Sequence, residues 1–258
     1  MRADVFLAKN NYCESRAKAA ASIEAGLLFV NGKNITKCSS DIKDCDTVEL
    51  RGEVIPYVGR GGLKLAGAIE AFSLDVTGFV CADIGASTGG FTDCLLKNGA
   101  AKVYAIENGS AQLHPSLLSD SRVVNLEGFN ARYLTEASLG EKCDIAVMDV
   151  SFISQTLLHS GVYKILKENG LFVSLIKPQF EVGRSAIGKG GIVKDKSAHA
   201  NAIECVVKSA QACGLALSGL AVSPITGGDG NREYLALFEK NGNTTTSITK
   251  ELLKKLTV

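Results

Sequence analysis

The chain has 258 residues, 46% hydrophobic and 21% charged, a balance that supports a packed core and excludes global disorder. Its 28 Lys+Arg against 27 Asp+Glu leave a net charge of +1, so a polyanionic partner must be met by local charge rather than by the whole surface. Eight scattered cysteines without a C-x-x-C, and no run near the roughly 18 apolar residues of a bilayer span, argue against a zinc site and a membrane span and point to reduced thiols in the cytoplasm.

The length suits one ordinary domain plus a small module, and the first 50 residues read differently from the rest. Residues 2–9 are amphipathic, unlike the apolar centre of a signal peptide. They and residues 16–25, capped by Ser15 and stopped by Gly26, predict two short helices. Leu28–Val30, Asn31-Gly32 and Lys33–Ile35 predict a hairpin, because Asn-Gly accepts the positive φ of a type I′ turn. Thr47–Leu50 adds a strand. The spacing sets a module at 1–51, a linker at 52–60 containing Pro56, and a main domain at 61–258.

In the main domain a helix over about 62–72 leads into alternating elements. Strands are predicted at Phe79–Asp83, Lys102–Glu107, Val123–Asn125, Ile145–Asp149, Leu171–Ile176, Leu215–Val222 and Glu233–Phe238. Helices are predicted up to Asn98, around Gln155–Lys167, at Ser197–Cys213 and at the end of the chain. This alternation predicts an α/β fold with a mostly parallel sheet covered on both faces. Ligands of such sheets bind beyond the carboxyl ends of the strands.

Asp83-Ile84-Gly85-Ala86-Ser87-Thr88-Gly89-Gly90 ends the first of these strands and opens a helix. Small residues there admit a ligand close to the backbone. No Gly-Lys-Ser/Thr follows, and the glycine spacing does not suit a pyrophosphate. Glu107 ends the next strand, where a carboxylate can accept from both hydroxyls of a ribose. The combination suggests S-adenosylmethionine; the plainer alternative is a packing turn and a surface Glu.

Four charged residues sit beside predicted buried elements. Asp149 and Lys177 close strands, Glu233 opens the last one, and Lys64 lies among Leu63, Leu65 and Ala66 on the first helix. Such groups are costly unless paired or used. Two lysines and two acids suit deprotonation of a weakly acidic hydroxyl. A lysine serves either as an amine base or as a cation beside a developing alkoxide, and the acids position it. For each residue alone a solvated charge or structural ion pair is the simpler alternative. Asp149-Val150-Ser151-Phe152 lacks the paired prolines of base-amine methylation, and Cys143 lies at the wrong end of its strand for cytosine C5 chemistry. A hydroxyl acceptor fits better.

Together these segments resemble the TlyA (hemolysin A) family of FtsJ-like ribosomal RNA 2′-O-methyltransferases, over almost the whole chain. The markers are Arg60–Leu65, Asp83–Thr92, Asp149–Ser154, Lys177–Glu181, Gly190–Val193 and Gly230–Tyr234. The resemblance implies a Rossmann-like class I S-adenosylmethionine-dependent methyltransferase sheet behind an S4-like RNA-binding module. It implies a tetrad of Lys64, Asp149, Lys177 and Glu233 with Lys177 central, and a cofactor held by Asp83, Gly85, Ser87, Gly89, Gly90, Glu107 and Asn130. The acceptor is then a ribose, expected to be that of a cytidine.

The module's basic residues, Arg2, Lys9, Arg16 and Lys18, with Arg60, Arg184 and Lys189 in the main domain, are expected to meet RNA phosphates. The glycines around Lys189 suggest a mobile loop at the catalytic edge. Partners are ribosomal RNA or subunits, with no metal, no membrane and a monomeric chain expected. The chain opens almost directly on the S4-like helix, without the basic extension of some relatives, which leans the expectation to large-subunit RNA alone. The alternatives are an RNA-binding assembly factor with an inert methyltransferase fold and, more distantly, a membrane-damaging haemolysin.

Overall fold

The computed structural model describes residues 1–257 except 14, 53–54, 184–185 and 243–245. The chain divides into two compact units, Met1–Pro56 and Tyr57–Val258.

In the first unit α1 (Ala3–Lys9) and α2 (Arg16–Glu24) accompany a small sheet of β1 (Leu28–Val30), β2 (Lys33–Ile35) and β3 (Val48–Leu50). The Ser15 hydroxyl accepts from the Lys18 N–H at 3.2 Å and so starts α2. The β1–β2 turn has positive φ at both Asn31 (+49°) and Gly32 (+75°), as a type I′ turn requires. β1 is central and antiparallel to both neighbours. Ala3, Leu7, Ile23, Leu28 and Ile42 form the core. Asp4 is buried beside them, and its carboxylate is met by Arg16 at 2.8 Å and Arg2 at 3.0 Å. Those guanidiniums hold Asp4 well below the usual carboxylate range.

The second unit runs α3 (Gly61–Ala71), β4 (Val80–Ile84), α4 (Gly90–Lys97), β5 (Lys102–Glu107), α5 (Pro115–Leu118), β6 (Val123–Glu127), α6 (Glu136–Leu139), β7 (Cys143–Met148), α7 (His159–Ile165), β8 (Leu166–Ile176), α8 (Pro178–Glu181), α9 (Lys196–Ala212), β9 (Leu215–Val222), β10 (Tyr234–Lys240) and α10 (Lys250–Leu256). The strands order as β6-β5-β4-β7-β8-β10-β9. The β4–β5, β5–β6, β4–β7 and β7–β8 pairings are parallel, while β10 runs against both β8 and β9. The order follows from the connections. A helix on a face returns the chain parallel, whereas the helix-free link from β9 to β10 allows only an antiparallel neighbour.

The strands are buried on both faces. Leu65, Ala68, Phe91, Leu95 and Leu117 put α3, α4 and α5 on one side. Leu139, Val162, Ile203, Val206 and Leu253 put α6, α7, α9 and α10 on the other. The helix expected over 155–167 is shorter. Gln155–Leu157 is a 3-10 turn, α7 follows, and Leu166 already pairs with Cys143 as the start of β8. The register then shifts before Ile145 meets Leu171, across a turn with φ +58° at Asn169. Asp149 and Glu233 lie just outside their strands. Among the described residues no helix is long and apolar enough to cross a membrane.

Candidate active site

The loop after β4 is shaped by close approach. Gly85, Ser87 and Gly89 have φ of +86°, +49° and +93°. A Cβ on Gly85 would stand 2.7 Å from the Asp149 carbonyl oxygen, so only glycine lets the loop lie against residue 149. Glu107, at the end of β5, accepts from the Ser87 N–H on one oxygen (3.0 Å) and from the Gly109 N–H on the other (2.8 Å). Each carboxylate oxygen keeps capacity for a further donor.

Asp83 is wholly buried beneath this loop. One of its oxygens accepts from the Thr92 hydroxyl at 2.7 Å, and the other has no partner among the described residues. Burial pushes its carboxyl up to about 7, against the Thr92 bond and with help from the charge on Asp149.

A cleft of about 680 Å³ opens beside the loop, lined by Gly85, Ser87, Glu107, Asn130, Asp149 and Phe152 among others. A smaller space of about 190 Å³ adjoins it, shares Gly85, Ser87, Asp149 and Ser151, and adds Gly61, Gly90 and Lys177. The Asn130 side-chain oxygen caps the following 3-10 turn at the Arg132 N–H (3.0 Å), which leaves its amide free to donate. Gly89 is the N-cap of α4 and, like Asp83, lies off the cleft walls. The walls fit an adenosylated amino acid: an acid with spare acceptor capacity for ribose, an elongated volume, and small residues where the ligand's charged end would lie. Glu107, Asn130, Gly85 and Ser87 would hold the nucleoside half, and the loop around Gly90 the other.

Lys64, Asp149, Lys177 and Glu233 meet at the carboxyl rim of the sheet as two ion pairs. Lys64 Nζ donates to Glu233 at 2.6 Å, with both side chains almost fully buried. Lys177 Nζ stands 2.5 Å from Asp149 and donates to the Ser151 hydroxyl at 2.8 Å. The pairs approach along α3. Gly61 faces the Asp149 carboxylate, so that a Cβ there would lie 3.6 Å from it, and Lys64 is one turn further on the same helix face. Gly227 makes room for Glu233, since a Cβ there would come within 2.6 Å of its carboxylate.

Sequence reading missed several residues that shape this rim. Ser151 bonds Lys177 directly. Thr92 supports Asp83. Glu181, whose carboxyl is raised by burial, accepts from the Ser154 hydroxyl at 2.6 Å and the Gln155 N–H at 3.0 Å, tying the segment after Asp149 to the turn after Lys177. All three lie inside quoted motifs, which was the available signal. Phe152 is 93% exposed at φ +63°, its ring 5.3 Å from that of Phe180. A bulky residue held so persists only where the surroundings impose it, which is common at ligand sites.

Of the basic residues, Lys9, Arg16 and Lys18 are exposed on the first unit, as is Arg2; Arg2 and Arg16 both lean on Asp4. Arg60 and Lys189 are exposed on the second unit, and Arg184 lies outside the described residues. Among the described residues no group of three or more metal-ligating side chains occurs.

Comparison with known proteins follows the same division. Residues 57–240 match the FtsJ-like methyltransferase family and residues 1–48 the S4 domain. The chain is 43% identical to hemolysin A of Brachyspira hyodysenteriae over 92% of this chain and 99% of that one. It is 40% identical to the 16S/23S rRNA (cytidine-2′-O)-methyltransferase TlyA of Mycobacterium tuberculosis over 90% of this chain and 87% of that one. A solved structure of a candidate hemolysin from Streptococcus thermophilus, 41% identical, superposes with a TM-score of 0.77 over 100% of this chain and 94% of that one.

Proposed function

The chain belongs to the FtsJ-like methyltransferase family, and on that premise we propose that it methylates the ribose 2′-hydroxyl of a cytidine in ribosomal RNA, with S-adenosylmethionine as donor. It falls in the branch that joins an S4 domain to the catalytic one and includes hemolysin A and TlyA. We assign residues 1–51 to holding RNA and 61–258 to the reaction. All eight cysteines are free thiols, which supports work in a reducing compartment, the cytoplasm.

The observation that carries the reading is the meeting of two lysine–acid pairs beside a nucleoside-sized cleft. When bound, S-adenosylmethionine supplies an electrophilic methyl group on a sulfonium. Lys177 would take the proton of the ribose hydroxyl at its Nζ as that oxygen accepts the methyl group. Asp149, 2.5 Å from Lys177 Nζ, steadies the ammonium that results. Lys64 presents a second cation toward the alkoxide, and Glu233 keeps that cation in place from a site with little water. Glu107 and Asn130 orient the nucleoside of the donor. The exposed ring of Phe152 offers a surface on which the acceptor's base stacks once drawn out of its helix. Lys9, Lys18, Arg2, Arg16, Arg60 and Lys189 hold phosphates and add salt dependence to binding.

The test is methyl transfer from labelled S-adenosylmethionine to purified small and large subunits and to their naked RNAs, with nucleoside mass spectrometry of the product. Ribose-methylated cytidine that vanishes with Lys177→Ala is the expected result. A base-methylated nucleoside would refute the tetrad, and RNA binding without any transfer would favour an assembly factor.

A further inference from the structure

The motif Gly190-Gly191-Ile192-Val193 plays no part in the reaction above, yet its last residue is held by two separated parts of the fold. Val193 is buried. Its N–H donates to the Asn231 side-chain oxygen at 3.0 Å, and its carbonyl accepts from His199 Nε2 at 2.9 Å. The Asn231 amide donates in turn to the Gly191 carbonyl at 2.9 Å. A carbonyl can only accept, so Nε2 carries the ring hydrogen and Nδ1 accepts from the Tyr234 hydroxyl, also at 2.9 Å. Asn231, His199 and Tyr234 are all buried, so each of these bonds is costly to break.

Their placement relative to Glu233 gives them meaning. Asn231 lies two residues before it and Tyr234 one after, so both flanks of Glu233 are tied to Val193, one directly and one through His199. On the other side of Val193 the chain enters a tight turn in which the Gly188 N–H donates to the Ile192 carbonyl at 2.9 Å, with φ of +76° and +77° at Gly190 and Gly191. That turn carries the exposed Lys189. A load on the turn, such as a phosphate at Lys189, reaches the backbone of Glu233 through two hydrogen-bonded steps.

We propose that Asn231 and His199 are positioning residues that couple docking of the Gly188–Val193 turn to the orientation of Glu233, and hence to the placing of Lys64 in the reaction. This rests on Glu233 belonging to the catalytic set. Releasing Val193 lets the Glu233 backbone drift while leaving the cofactor cleft, lined from the ends of β4, β5, β6 and β7, untouched.

The experiment is a double-mutant cycle in RNA methylation. Asn231→Ala is expected to lower kcat about tenfold, on the scale of one or two lost buried hydrogen bonds, with KM for S-adenosylmethionine unchanged. His199→Ala should behave alike, and His199→Gln, which restores a donor to the Val193 carbonyl, should recover most of kcat. In a Glu233→Gln background Asn231→Ala should cost nothing further, because the residue it positions is already disabled. Should Asn231→Ala fail to fold, the His199 variants run through the same cycle. Losses that multiply with an impaired Glu233→Gln would overturn this proposal alone. A fully active Glu233→Gln would overturn the catalytic reading and this proposal with it.

Discussion

Asp83 is a carboxyl that the fold holds in an unfavourable place, and its cost has a pH signature. Its folded value of about 7 compares with an ordinary 3.8, and at about 1.4 kcal/mol per pH unit the difference is worth about 4 kcal/mol. Below about pH 4 the folded and unfolded chains both hold the proton, so the group contributes no pH dependence. Between about pH 4 and about pH 7 the unfolded chain gives up a proton that the folded one keeps, so wild-type stability falls as pH rises. Above that range the full penalty is present.

Asp83→Asn removes the titration and keeps an oxygen for the Thr92 hydroxyl. Its new amide replaces an oxygen that already lacked a partner, which adds a constant cost of about 1–3 kcal/mol at every pH. The difference in unfolding free energy between variant and wild type should therefore grow in the variant's favour by about 4 kcal/mol from about pH 4 to about pH 8 and be flat on either side. Urea unfolding followed by far-UV circular dichroism at a series of pH values measures it. A difference that does not change with pH would refute the argument, because the constant term cancels.

The Lys64–Glu233 pair gives a second expectation: Lys64→Met leaves Glu233 buried and unpaired and should cost about 3–5 kcal/mol. Lys64→Met with Glu233→Leu should recover most of that stability but none of the methyl transfer, as unfolding curves and activity on the same samples will tell. Phe152→Ala should raise KM for RNA about tenfold, the scale of one lost base stack, with binding of S-adenosylmethionine by calorimetry unchanged. Glu107→Ala should do the reverse, weakening the cofactor while RNA binding persists. Gly227→Ala should lower kcat by crowding the Glu233 carboxylate, and Glu233→Asp, one methylene shorter, should recover part of the loss if the contact is the cause.

Local chemistry made much of the fold readable. Asn31-Gly32 announces its own turn, Ser15 its own helix, and Lys102–Glu107 its strand, because each depends on neighbours in sequence. β8 was less readable. Its start at Leu166 is set by pairing with β7, while Lys167, Glu168, Asn169 and Gly170 look like a polar loop. The four rim charges were recognisable as strand-end groups that needed partners, and which would pair with which was not. Lys64 and Glu233 are 169 residues apart, and only the sheet order brings them together. Ser151 and Thr92 lie within recognisable motifs, but the role of each is not legible there, because a hydroxyl has no signature until its neighbour is known. Asp83 and Gly89 read as cofactor contacts, and neither is among the residues that line the cleft.

The reversed direction of β10 has a consequence for how this site tolerates change. In a sheet of parallel strands alone, every residue at the carboxyl rim follows a strand and stands on a loop leading to a helix, where insertions are easily absorbed. Glu233 precedes its strand and is delivered to the same rim by a link with no helix in it, closed by bonds from the Ser223 N–H to the Glu233 carbonyl at 3.0 Å and from the Gly227 N–H to the Asn231 carbonyl at 2.8 Å. That link acts as a ruler. One residue added between 223 and 233 has no crossover in which to be lost, so loop grafts that succeed elsewhere on the rim should fail here, and the last acid of the set is the one whose distance along the chain is least free to vary.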